Sequence, residues 1–140
     1  MKVHCQDITQ PNFEIKRAYD YIVMTDVLEH IPNPEDVLIK IKDNFNKCLI
    51  VSVPNTGFIL DRLRLLFGRF PKQWLVHPGE HLRFWTFKDF ISMCEQLGFC
   101  LKEYYGVEIE SYEIKPKLWK WKPKLFSKDI LYVIERSKGE

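Results

Sequence analysis

Thr25, Asp26, Glu29 and His30 lie close together in the stretch YDYIVMTDVLEHIPNPEDVL, Tyr19–Leu38. The stretch opens as an apolar run and ends abruptly in hydroxyl, carboxylate and imidazole groups. An ionised carboxylate only accepts hydrogen bonds, so it suits an amine or hydroxyl on a ligand. An imidazole can take a proton from a nucleophile near neutral pH. His30 is one candidate base. His81, at the end of HPGEH (His77–His81), is the other. HPGEH also has the H-x-x-E-H spacing of some zinc proteases. That motif needs both imidazoles on one helical face, and Pro78 and Gly79 interrupt any such helix. A polar loop over a cleft is the plainer expectation. Glu29, His30, Glu35 and Asp36 could suggest a metal, but acids at Glu35 and Asp36 suit the first turn of a helix. No metal is expected.

The elements that must position these groups alternate in type. KVHCQDI (Lys2–Ile8) reads as a short strand. YDYIVMT (Tyr19–Thr25) is β-branched and aromatic, a buried strand by composition. From Pro34, Val37, Leu38, Ile41 and Phe45 recur at helical spacing. CLIVSV (Cys48–Val53) is the continuous apolar run of a strand covered on both faces. Phe58–Phe70 is amphipathic and basic, with Gly68 as a helix stop. Thr86–Phe99 reads as a helix capped by Thr86, with Asp89 three residues on and Gly98 at its end. Strands are expected over Phe99–Ile109 and Asp129–Ser137. This alternation predicts an α/β fold with a mostly parallel sheet.

With 140 residues the chain has room for one domain with a core. No apolar run is long enough to span a membrane, and the N-terminal MKVHCQDITQ lacks the apolar region of a signal peptide. The net charge of +2 is too small to argue for nucleic acid by itself. Cys5, Cys48, Cys94 and Cys100 form no C-x-x-C pair and are read as reduced, with a cytoplasmic location expected.

Taken in order, QDI, YDYIVMTDVLEHIPNPEDVL, LIVSVPN and a helix ending in LGF before a strand resemble the C-terminal part of a class I S-adenosylmethionine-dependent methyltransferase. VSVPNTGFILDRLRLLFGRFP followed by HLRFWTFKDF looks most like the MetW-like, small-molecule branch. The resemblance implies a Rossmann-like sheet, mostly parallel with an antiparallel last strand, and S-adenosylmethionine as cofactor. Ligands of open α/β sheets lie outside the strand carboxyl ends. By resemblance, Asp7 would accept from the adenine amino group and the Ile8 backbone would face the ring. Thr25, Asp26 and Val27 would line the methionine and sulfonium side. Glu29 and His30 would sit beneath the reacting centre.

The same resemblance exposes a gap. The family has a first strand running into a glycine-rich turn, and a second ending in an acid that holds the ribose. The six glycines here, Gly57, Gly68, Gly79, Gly98, Gly106 and Gly139, form no G-x-G. The first strands and glycine loop are therefore expected to be lacking from a single incomplete domain over 1–140. Three explanations stay open: a fragment of a longer enzyme, a short non-catalytic descendant, or a domain completed by another chain. A homodimer through the exposed sheet edge is expected.

Two segments remain. Residues 56–85 hold Arg62, Arg64, Arg69 and Lys72 beside Leu63, Leu65, Leu66 and Phe67. The expectation is a lid whose leucines pack on the domain, with peripheral membrane contact as the alternative. Residues 110–128 contain KPKLWKWKPKLFSK, six lysines with Trp119, Trp121 and Phe126 and no acid. They read as the connection between the last two strands, tryptophans folded onto the sheet. A membrane or partner surface is the functional alternative, and nucleic acid is disfavoured. The function expected is methyl transfer to a small or lipid-linked acceptor. The rival is a non-catalytic module that binds a partner or membrane through the Trp-rich segment.

Overall fold

The computed structural model describes residues 5–71, 79–107 and 118–137. Its four strands are β1 (Tyr19–Thr25), β2 (Phe45–Pro54), β3 (Phe99–Val107) and β4 (Asp129–Arg136), ordered β1-β2-β4-β3 in one sheet. β1 and β2 pair in parallel, and β4 is antiparallel to both β2 and β3. Three strands thus run one way and the last runs back between two of them. The expected antiparallel last strand is present. Its insertion leaves only one directly parallel pair, so "mostly parallel" describes strand direction rather than pairing.

The helices are α1 (Pro34–Ile41), α2 (Ile59–Leu66) and α3 (Phe87–Gln96). Pro34 starts α1, where a missing N–H costs nothing. α1 buries Val37, Leu38 and Ile41. It is shorter than its spacing suggests, because Lys42–Asn44 tighten into a 3-10 turn and Phe45 opens β2. α3 has the expected capping box. The Thr86 hydroxyl accepts from the Asp89 amide, and the Asp89 carboxylate accepts from the Thr86 amide. Gly98 then takes φ 78°, the left-handed turn that stops a helix.

The core lies on one face of the sheet. Met24, Leu49, Val51, Val53, Ile130, Tyr132 and Ile134 join Val37, Leu38, Ile41, Phe90 and Cys94 in a single apolar cluster. Phe87 and Phe90 pack their rings on Tyr132, at centroid distances of 5.6 and 4.5 Å. Side chains alternate across a strand, so the other face carries Tyr21, Val23 and Tyr105, all exposed, with Ile50, Leu131 and Val133 half-buried. Val23 is 60% exposed. β1 is therefore not the buried strand its composition suggests: Tyr21, Val23 and Thr25 are exposed, and among the described residues no strand pairs with its outer edge.

Other expectations shift. Cys5–Ile8 form no strand; Asp7 begins a turn, and residues 1–4 lie outside the described residues. α2 does not pack its leucines inward. Leu60, Leu63, Leu65 and Leu66 are exposed, as are Phe67 and Phe70 beyond it. The basic segment forms two single-turn helices, Leu118–Trp121 and Pro123–Phe126. Trp121 is 67% exposed rather than folded onto the sheet. Residues 108–117, the start of that segment, lie outside the described residues. Among the described residues no helix is long and apolar enough to cross a membrane.

Candidate active site

The parallel strands β1 and β2 deliver their carboxyl ends side by side, with Thr25 opposite Ser52. β4 runs the other way, so its first residue, Asp129, lies opposite Pro54 at that same end. A cleft of about 260 Å3 opens there, lined by Asp26, Glu29, His30, Ser52, His81 and Asp129, with Pro54 and Val107 completing it.

Asp26 takes φ 53°, in the left-handed region that few residues other than glycine, Asn and Asp visit. Ser52 holds it there. The Asp26 amide donates to the Ser52 carbonyl and hydroxyl oxygens at 3.2 and 3.0 Å, and the Ser52 hydroxyl donates back to Asp26 Oδ1 at 2.8 Å. The turn continues into a 3-10 segment, Leu28–His30, which buries Leu28 and Glu29. Glu29 is 1% exposed, and its Oε2 has no hydrogen-bond partner among the described residues. Burial pushes its carboxyl up from 4.5 to about 7; its own backbone amide pulls it down, and the Asp26 charge pushes it up further. Asp129 behaves alike. It is 8% exposed, and burial first, then Asp26, raise it to about 6.

The loop at Gly79–Phe84 folds onto this turn. The Glu29 carbonyl accepts from the Leu82 and Arg83 amides at 2.7 and 3.1 Å. Arg83 also donates to the Pro32 carbonyl at 2.8 Å and reaches Glu35 at 3.3 Å. His30 Nδ1 donates to the Glu80 carbonyl at 2.6 Å, so its Nε2 carries the lone pair in the neutral ring. That Nε2 lies 3.9 Å from Glu29 Oε1. His81 stands edge-on to His30, ring centroids 4.9 Å apart. The two base candidates, far apart in sequence, thus share one cleft with Glu29 and Asp26.

Thr25 is exposed at the end of β1, and Val27 packs against the core. Asp7 does not line the cleft, and Ile8 packs against the core. The Asp7 carboxylate instead accepts from the Thr9 amide and hydroxyl at 2.9 and 2.7 Å and from the Gln10 side chain at 2.9 Å. Gln10 first, then Thr9, lower it to about 2. Asp129 and Ser52 were not singled out from sequence. The available signal was an acid opening a strand that returns antiparallel, which places it at the carboxyl end of its neighbours.

Solved structures share this architecture. Magnesium protoporphyrin IX methyltransferase from Synechocystis, with bound SAH, matches at TM-score 0.58 and 17% identity, over 94% of this chain and 49% of its own. An S-adenosylmethionine-dependent methyltransferase from Clostridium acetobutylicum matches at 0.60 and 12%, over 96% and 64%. One from Archaeoglobus fulgidus matches at 0.55 and 13%, over 86% and 60%. The fold is that of the class I S-adenosylmethionine-dependent methyltransferases, of which the chain spans about half to two thirds. A search of curated proteins finds no match. The family model of methionine biosynthesis protein MetW matches residues 1–134, and the chain belongs to that family.

Proposed function

We propose that the chain serves methyl transfer from S-adenosylmethionine to a small or lipid-linked acceptor, in a domain whose cofactor site is completed by residues this chain does not supply. The observation that carries the reading is the convergence of Asp26, Glu29, His30 and His81 at the strand carboxyl ends of a methyltransferase fold.

The residues present fit the cofactor in part. A carboxylate offers about four lone-pair sites. Asp7 has three engaged, two on Oδ1 and one on Oδ2, so one remains for an adenine amine. Thr25, Asp26 and Val27, at the end of β1, would line the methionine side. The six glycines of the sequence form no G-x-G through which the backbone could approach the rest.

When bound, the cofactor supplies an activated methyl on a sulfonium. An acceptor aligned with that methyl would give up its proton to a base. His30 Nε2 or His81 would take it. The protein's larger contribution is to align the two centres and exclude water.

Residues 56–85 serve as the lid in this reading. The exposed Leu63, Leu66, Phe67 and Phe70, interleaved with Arg62, Arg64 and Arg69, support an acceptor presented at a lipid surface. A non-catalytic module is the second reading. The exposed Trp121, with Lys122 Nζ 4.4 Å over its ring, favours a partner or membrane contact there.

Calorimetric titration of S-adenosylhomocysteine into the folded 140-residue chain separates them. Binding that Asp26→Ala weakens supports the enzyme reading. No binding by the folded chain alone leaves a fragment of a longer enzyme or the module; no binding once the rest of the domain is supplied overturns the enzyme reading and leaves the module.

A further inference from the structure

Glu29, His30 and His81 each present a ligand-type atom within 4.8 Å of the others. An imidazole pair with a carboxylate is a donor set that suits borderline divalent ions. Three independent features of the cleft point the same way.

The first is the buried carboxylate. Glu29 lines the cleft, is almost wholly inaccessible, and leaves Oε2 without a hydrogen-bond partner among the described residues. Burying such an atom is costly unless something pairs with it. Asp129 Oδ2, in the same cleft, is also buried without a hydrogen-bond partner among the described residues.

The second is tautomer control. His30 donates from Nδ1 to a backbone carbonyl, which leaves the lone pair on Nε2, 3.9 Å from Glu29 Oε1. Metal-bound histidines are held this way, by an outer hydrogen bond on the far nitrogen. The same loop that provides this carbonyl carries His81 and is pinned to the Glu29 carbonyl by two amides.

The third is charge. Three carboxylates, those of Asp26, Glu29 and Asp129, line this one small cleft. His30 Nε2 lies 3.9 Å from Glu29 Oε1, and Lys128 adjoins Asp129 in sequence.

We propose that Glu29, His30 Nε2 and His81 form a binding site for a divalent first-row transition ion, with Asp26 and Asp129 supplying further oxygens or holding waters at its open positions. Ligands about 2.1 Å from one ion sit roughly 3–4 Å apart, so the three atoms need to close by about an ångström. The cleft leaves coordination positions open toward solvent. There the ion takes an oxygen of an acceptor and lowers its pKa, a role that rests on the methyl-transfer reading. In that role the imidazoles act as ligands rather than bases, and the acceptor's proton passes to solvent. Ion binding itself does not depend on that reading, and it is measured without cofactor or acceptor.

The test is titration of Co2+ into the full chain after chelator treatment, read by visible d–d bands, with Zn2+ as competitor. The expected result is one site with nitrogen–oxygen bands, weakened at least about tenfold in Glu29→Gln and in His81→Ala. Circular dichroism confirms that both variants are folded. His81→Ala changes a loop residue, so it remains informative if Glu29→Gln disturbs the core. Absence of bands in the wild type overturns the proposal. Unchanged affinity in both folded variants overturns it as well, as do thiolate charge-transfer bands, which would place the ion on the cysteines.

Discussion

Glu29 ties the energetics of the chain to pH. Its carboxyl is raised to about 7 and that of Asp129 to about 6, so the folded state holds more protons than the unfolded one above about pH 4.5. Stability is then greatest on the acid side and falls as pH rises through the folded values. In the presence of chelator, denaturant midpoints should drop between about pH 5 and about pH 8, and Glu29→Gln should flatten much of that slope. Asp7 is tested differently: in a complete domain, Asp7→Ala should weaken S-adenosylhomocysteine binding roughly tenfold by calorimetry. Unchanged affinity would sink the placement of the adenine there. His30, His81, Glu29 and Asp26 were each legible in the sequence from residue type. Their assembly was not, because about fifty residues separate His30 from His81 and only a folded loop closes that gap. Asp129 was harder still. Its place in the cleft follows from the direction of β4, which no local pattern announces.

At the scale of elements, legibility followed how locally each one is determined. α3 was readable almost to the residue, because a capping box and a left-handed glycine mark its ends. The end of α1 was not, since Phe45 continues the helical spacing yet belongs to β2. α2 was read correctly as amphipathic and wrongly as packed inward. Its spacing reports an apolar stripe but not what covers it. Phe67, 77% exposed just past its end, makes the consequence measurable. The chain should co-float with vesicles containing anionic lipid, and Phe67→Glu should reduce the bound fraction several-fold. Equal flotation of the two would remove the lipid-facing role from this segment.

Among the described residues, the apolar core lies on one face of the sheet. Composition marked Tyr19–Thr25 as buried because β-branched and aromatic residues usually are. Burial needs a second layer, and among the described residues only one face has it. Tyr21 and Val23, exposed beside the open edge of β1, form an apolar strip of the kind that drives association. Light scattering should show a mass that rises with concentration, and Val23→Lys should shift the chain toward monomer. A monomer at all concentrations would exclude self-association as the means of covering this face. Because a single carbonyl, that of Glu29, holds both the Leu82 and Arg83 amides, the exchange of those two protons with solvent deuterium is a gauge of loop closure. Anything that settles in the cleft, whatever its identity, slows both clocks together. The occupant can thus be sought by screening candidate compounds for that paired slowing, before any reaction is known.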